Sequence, residues 1–89
     1  MRIPDGFILR NVADKYIVVA VGERVKSFGG IVNLNESGAF FWKMLEKGAR
    51  KEELLSAVLD EYDVDEETAK TDIEEFLEKL KNANLLIED

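Results

Sequence analysis

The sequence contains no cysteine and no histidine. Without cysteine there is no disulfide, no thiolate nucleophile and no iron–sulfur ligation. Without histidine there is no imidazole general base, and without both the common zinc sites are gone. Proline occurs once and glycine six times, while 46% of residues are apolar and 35% charged. That balance belongs to an ordinary globular chain rather than a disordered one. No apolar run approaches the ~18–20 residues that cross a bilayer, and the opening MRIPDGFILR has no stretch resembling the core of a secretory signal. These absences predict a cytoplasmic protein with no membrane partner. At 89 residues the chain is expected to be one domain spanning 1–89, with a modest core.

Positive charge is also scarce where it would matter. The net charge is −7, but residues 1–34 hold five basic and three acidic side chains, and residues 35–89 hold seven basic and sixteen acidic ones. A nucleic-acid binder needs a cationic footprint to displace counterions from phosphates. The larger part of this chain offers the reverse, which argues against a nucleic-acid partner.

What is present reads as strands first and helices after. Phe7 to Val12 and Tyr16 to Val21 are β-branched and apolar, separated by Ala13-Asp14-Lys15, and are expected to pair as an antiparallel hairpin. Gly22 to Gly30 reads as a loop with some extended structure at Arg24–Phe28, closed by a turn at Gly29-Gly30. Ile31-Val32-Asn33-Leu34 is a short third strand. From Asn35 the period becomes helical: Asn35 is a natural N-cap, Phe40, Phe41, Met44 and Leu45 form a stripe, and Gly48 is the stop. Phe40, Phe41 and Trp42 are consecutive, so they cannot all face one side. A second helix from about Lys51 to Tyr62 is poorly capped by Arg50. A third begins at Asp65 and runs to about Asn82 on the stripe Ala69, Ile73, Phe76, Leu77 and Leu80, and Leu85-Leu86-Ile87 is an extended tail. The prediction is an α+β domain of order βββααα, a three-stranded antiparallel sheet followed by three helices in a winged-helix-like arrangement. Residues 65–84 carry seven acids against three lysines, so the helix that would enter a DNA groove has the wrong charge for it.

Candidates for catalysis reduce to carboxylates, Tyr16, Tyr62, lysines and serines, and no pair of them forms a motif that would hold an acid beside a base. The acid run from Asp60 to Glu67 lacks the central glycine and ligand order of a calcium loop. No phosphate cradle follows Gly29-Gly30, because no P-loop lysine is placed after it. The sequence therefore predicts no enzyme activity, no metal and no cofactor.

The segment Ile31-Val32-Asn33-Leu34-Asn35-Glu36-Ser37-Gly38, followed by Phe41-Trp42, resembles the signature of PqqD-like proteins. Glu53-Leu54-Leu55, Tyr62-Asp63-Val64, Asp72-Ile73, Phe76-Leu77, Leu80 and Leu85-Leu86 continue the pattern, so the resemblance covers about residues 7–87. Arg50 stands where that family usually has a threonine, and the tail lacks the tryptophan associated with members of the pyrroloquinoline quinone pathway. The resemblance implies a RiPP recognition element: a non-catalytic domain that binds the leader of a ribosomally made precursor peptide and presents it to a maturase, often a radical-SAM enzyme.

An independent physical argument points the same way. A short strand at the end of a three-stranded sheet leaves a row of backbone groups unpaired, and an extended peptide can add there as a further strand. At 100° per residue, Thr68, Asp72, Glu75 and Lys79 lie along one flank of the third helix. The resemblance places the leader between the third strand and the third helix, which makes Gly30, Ile31, Val32, Asn33 and Leu34 the strand candidates. Ala69, Asp72, Ile73 and Phe76 are the helix candidates. The alternative, from another class, is a structural or regulatory winged-helix-like domain that forms a homodimer or larger homo-oligomer through edge strands or an aromatic surface around Trp42.

Overall fold

The computed structural model describes residues 1–27 and 30–88. Strands β1 (Phe7–Val12) and β2 (Lys15–Ala20) form the expected hairpin, with Val12 opposite Lys15 across Ala13 and Asp14. Ala13 occupies the left-handed region at φ 56°. The segment after β2 is not extended: Arg24–Ser27 forms a single helical turn, α1. Arg24 explains part of that difference, because its Nε donates to the Asp5 carbonyl at 3.1 Å and its guanidinium lies over the Phe7 ring at 5.7 Å. These are contacts distant in sequence that no local pattern announces. Phe28, the last residue of that expected extended stretch, and the Gly29 half of the expected glycine turn lie outside the described residues.

Strand β3 (Ile31–Leu34) pairs antiparallel with β2, giving the order β1-β2-β3. Helices α2 (Glu36–Lys47), α3 (Lys51–Glu61) and α4 (Glu66–Asn82) follow. Here α4 is the third helix of the sequence reading, and the βββααα order holds with α1 as a one-turn insertion.

Each long helix starts for a local chemical reason. The Asn35 Oδ1 accepts from the Gly38 N–H at 2.8 Å, and Asp65 Oδ1 accepts from the Thr68 N–H at 2.8 Å. Both satisfy amides that have no partner inside their helix. The bond from Thr68 holds the Asp65 carboxyl below the usual aspartate range. At α3 the cap comes from the other direction, since the Arg50 N–H donates to Glu53 Oε1 at 2.8 Å. Helix α4 ends in a Schellman turn: Asn84 is left-handed at φ 58°, its N–H donates to the Lys81 carbonyl, and the Leu85 N–H donates to the Leu80 carbonyl at 2.8 Å. Leu80 and Leu85, which accompany that turn, are both fully buried.

The core lies between one face of the sheet and the helices. Val18 is its central strand residue, fully buried, with Leu9 and Val32 beside it on the neighbouring strands. Phe41, Trp42 and Leu45 arrive from α2, Leu54 and Val58 from α3, and Ile73, Phe76, Leu77 and Leu80 from α4. Phe40 is half-buried and meets Tyr62 edge-on at 5.4 Å. The N-terminal segment, which carries no periodic signal, closes the far end. Arg2 and Ile87 exchange backbone hydrogen bonds of 3.0 and 2.8 Å, Met1 and Ala49 are linked likewise, and Ile3 is buried beneath them.

Candidate functional site: the open edge of the third strand

The outward side of β3 follows from the hairpin. The Val21 N–H donates to the Gly6 carbonyl at 2.8 Å, which makes that pair a hydrogen-bonded one. In an antiparallel ladder hydrogen-bonded and non-hydrogen-bonded pairs alternate. The odd residues of β2 therefore bond to β1, and Tyr16 and Val18 turn their backbone groups to Leu34 and Val32. Ile31 and Asn33 are left with N–H and C=O directed away from the sheet. The side chain of Lys79 supports this assignment, because its Nζ donates to the Asn33 carbonyl at 2.6 Å from the α4 side.

Beside this edge lies a hollow of about 320 Å³, lined by Leu34, Gly38, Phe41 and Phe76 together with the polar Asp72, Glu75 and Lys79. The Phe41 and Phe76 rings, 5.6 Å apart and tilted by 48°, supply its apolar floor. Gly38 sets how closely the first turn of α2 approaches. A Cβ there would lie 3.0 Å from Asn35 Oδ1 and 3.4 Å from both Leu34 and Phe76, so any larger residue would disturb the cap or the floor. Asn35 and Ser37 line the hollow as well, with the Ser37 hydroxyl donating to Asn35 Oδ1.

The residues expected at the site divide into three groups. Leu34, Asp72 and Phe76 are brought together in the hollow, with Asp72 exposed on its rim. Gly30, Ile31 and Asn33 are exposed along the strand, and Val32 is half-buried with its side chain toward the core and its backbone toward β2. Ala69 and Ile73 are buried in the core at 1% and 2% exposure and do not line the hollow. Ile73 instead borders a separate hollow between α3 and α4 with Leu55, Lys70 and Glu74. Glu75 and Lys79 also line the hollow, beyond the helix candidates, on the flank of α4 that the helical wheel gives to Asp72. Phe41 and Gly38 were visible only as parts of the α2 segment.

Trp42 is fully buried, so the aromatic surface suggested for self-association does not exist at that residue. Its indole Nε1 has no hydrogen-bond partner among the described residues. Among those residues, no helix is long and apolar enough to cross a membrane.

Comparison with known proteins agrees with this architecture. The family model for coenzyme PQQ synthesis protein D (PqqD) matches residues 9–86. A solved structure described as "TbiB1 in Complex with the TbiA(beta) Leader Peptide" is similar over 100% of both chains, with 31% identity and a TM-score of 0.76. A second, "Lasso peptide synthetase B1 complexed with the leader peptide", is similar over 98% of this chain and 96% of its own. Its TM-score is 0.75 at 18% identity, a likeness of fold. No curated protein matches the chain.

Proposed function

The chain belongs to the PqqD family, and we propose that it captures the leader of a ribosomally made precursor peptide and presents it to a modifying enzyme, itself doing no chemistry. The leader adds as a strand antiparallel or parallel to β3, bonding to the outward groups of Ile31 and Asn33. Its alternate side chains then drop into the hollow over Phe41 and Phe76. The observation that carries this reading is the edge of β3, to which no further strand is paired among the described residues, directly beside an apolar-floored hollow. The 31%-identical TbiB1 structure, described as a complex with a leader peptide, supports the ligand class. The maturase is a radical-SAM enzyme or another modifying enzyme that acts on the same precursor.

Amide shift mapping tests the proposal. A synthetic leader from the precursor encoded beside this chain is titrated into the ¹⁵N-labelled protein. Saturable shifts are expected at residues 30–34 and at Asp72, Glu75, Phe76 and Lys79. An unperturbed spectrum at hundreds of micromolar peptide, or shifts confined to the hollow between α3 and α4, overturns it.

A further inference from the structure

The pairing register that leaves Ile31 and Asn33 facing outward along the edge also decides which side chains lie on the sheet's far face. Phe7, Leu9, Tyr16, Val18, Val32 and Leu34 point into the core, so Ile8, Ile17, Val19 and Ile31 are on the opposite side. Ile8, Val19 and Ile31 stand in cross-strand register and form a row across all three strands, with Ile17 beside it. Ile31 is 56% exposed, and Ile8, Ile17 and Val19 are half-buried. None of the four is among the hydrophobic residues that pack against the helix-covered core. A sheet with one wet side ordinarily alternates apolar and polar residues, so a continuous apolar row on that side marks a contact surface.

The charged strand residues on the same face are Arg10 and Lys15, and neither is ion-paired among the described residues. A face-to-face pair of identical chains would set these cations against their own copies, an arrangement that costs affinity. An occupant with an apolar centre and carboxylates at its rim fits instead. Continuity with the β3 edge narrows the choice further. A leader added beside β3 would become a fourth strand, and its outward side chains would extend the row begun by Ile8, Val19 and Ile31. Whatever covers the face would then touch protein and peptide together.

We propose that the far face of the sheet, centred on Ile8, Ile17, Val19 and Ile31 and flanked by Arg10 and Lys15, is the docking surface for the enzyme that modifies the bound peptide. The proposal rests on the recognition reading above. The enzyme meets the face through an apolar patch rimmed with acidic residues, and it recognises the leader-loaded form through the widened sheet.

The test separates the two readings by measuring two affinities on the full chain. Ile17→Glu places a charge at the centre of the face, on the middle strand, at a residue whose backbone bonds to β1 and not to β3. Arg10→Glu reverses an exposed charge and preserves the fold if the first variant proves unstable on melting. Fluorescence anisotropy with a labelled synthetic leader is expected to give dissociation constants within about twofold of wild type for both. Binding of the leader-loaded chain to the maturation enzyme encoded beside it is expected to weaken at least about tenfold for Ile17→Glu. For Arg10→Glu the expected loss is severalfold, with a shallower salt dependence. Unchanged enzyme affinity in both variants overturns the docking surface while leaving leader capture standing. Loss of leader affinity in both variants overturns it as well, by assigning the face to the peptide. Light scattering that shows a wild-type dimer dissociated by these changes identifies a second copy as the occupant and overturns it. A wild-type chain that binds no leader removes the recognition reading itself, and this proposal with it.

Discussion

Lys79 is the one cation lining the hollow among the described residues, and its ammonium is held by a backbone carbonyl that an added strand would use. Its side chain is exposed, so the bond contributes little to stability, below about 1 kcal/mol. Lys79→Met is therefore expected to leave the melting temperature nearly unchanged. It frees the Asn33 carbonyl, and leader affinity should tighten a few-fold by titration calorimetry. A loss of affinity would instead assign the ammonium to holding the peptide. The neighbouring carboxylates Asp72 and Glu75 make the choice of lysine at 79 more than decorative, since without it this rim carries only negative charge. At the start of the same helix Asp65 behaves differently. Its depressed pKa favours the folded state above the ordinary aspartate range, and that contribution disappears as the pH falls through the folded-state value.

At the scale of elements, most of the fold was legible because two of the helices carry their own punctuation, Asn35 and Gly48 around α2 and Asp65 at the start of α4. The strands were legible as β-branched runs. What the pattern did not reveal was α1, held by Arg24 reaching back to Asp5, and the N-terminal strap that bonds to Ala49 and Ile87. Both depend on contacts between residues far apart in the chain. The candidate site was half legible for a related reason. Composition marks 31–34 as a strand, but which of its residues point outward is fixed by the register with β2, which a sequence does not display. Proline substitution makes the distinction measurable. Asn33→Pro removes an edge donor and is expected to leave the protein folded while weakening leader binding about tenfold or more. Val32→Pro removes a donor that faces Val18 and is expected to lower the melting temperature first. Equal stability losses from both, seen in paired thermal melts with leader titrations, would contradict the register-based assignment. Ala69 and Ile73 illustrate the other limit: a helical stripe locates the core, and the residues that line the hollow, Asp72, Glu75 and Lys79, lie on its flank.

Considered whole, the molecule has its core closed from two ends. The sheet supplies Val18, Val32 and Leu34, and the N-terminal strap supplies Ile3 against the junction of α2 and α3. Ile3 is 8% exposed, and its truncation leaves a void that the strap's backbone hydrogen bonds keep from collapsing. Ile3→Ala is expected to cost about 2–4 kcal/mol in denaturant unfolding, without moving the leader affinity of the folded protein. A coupled loss of binding would mean that the strap shapes the distant groove. The distribution of charge has its own logic at this scale. The acidic excess belongs to residues 35–89, whereas the apolar sheet face bears Arg10 and Lys15. The chain thus offers two surfaces of opposite character, one at the helices and one behind the sheet.

The brevity of β3 has a kinetic meaning. Four residues expose the backbone groups of only two, Ile31 and Asn33, so a bound strand gains at most four main-chain hydrogen bonds, each contributing about 0.5–1.5 kcal/mol net. That sum of about 2–6 kcal/mol, reduced by the entropy of ordering a flexible peptide, falls short of the roughly 8 kcal/mol of a micromolar complex. The hollow must supply the difference if binding is to reach that range. With ordinary association rates of about 10⁵–10⁷ M⁻¹s⁻¹, a micromolar complex lives for roughly 0.1–10 seconds. On the proposed reading, such an edge would grip long enough for an encounter with an enzyme and then let go, so that one copy would serve a succession of precursors.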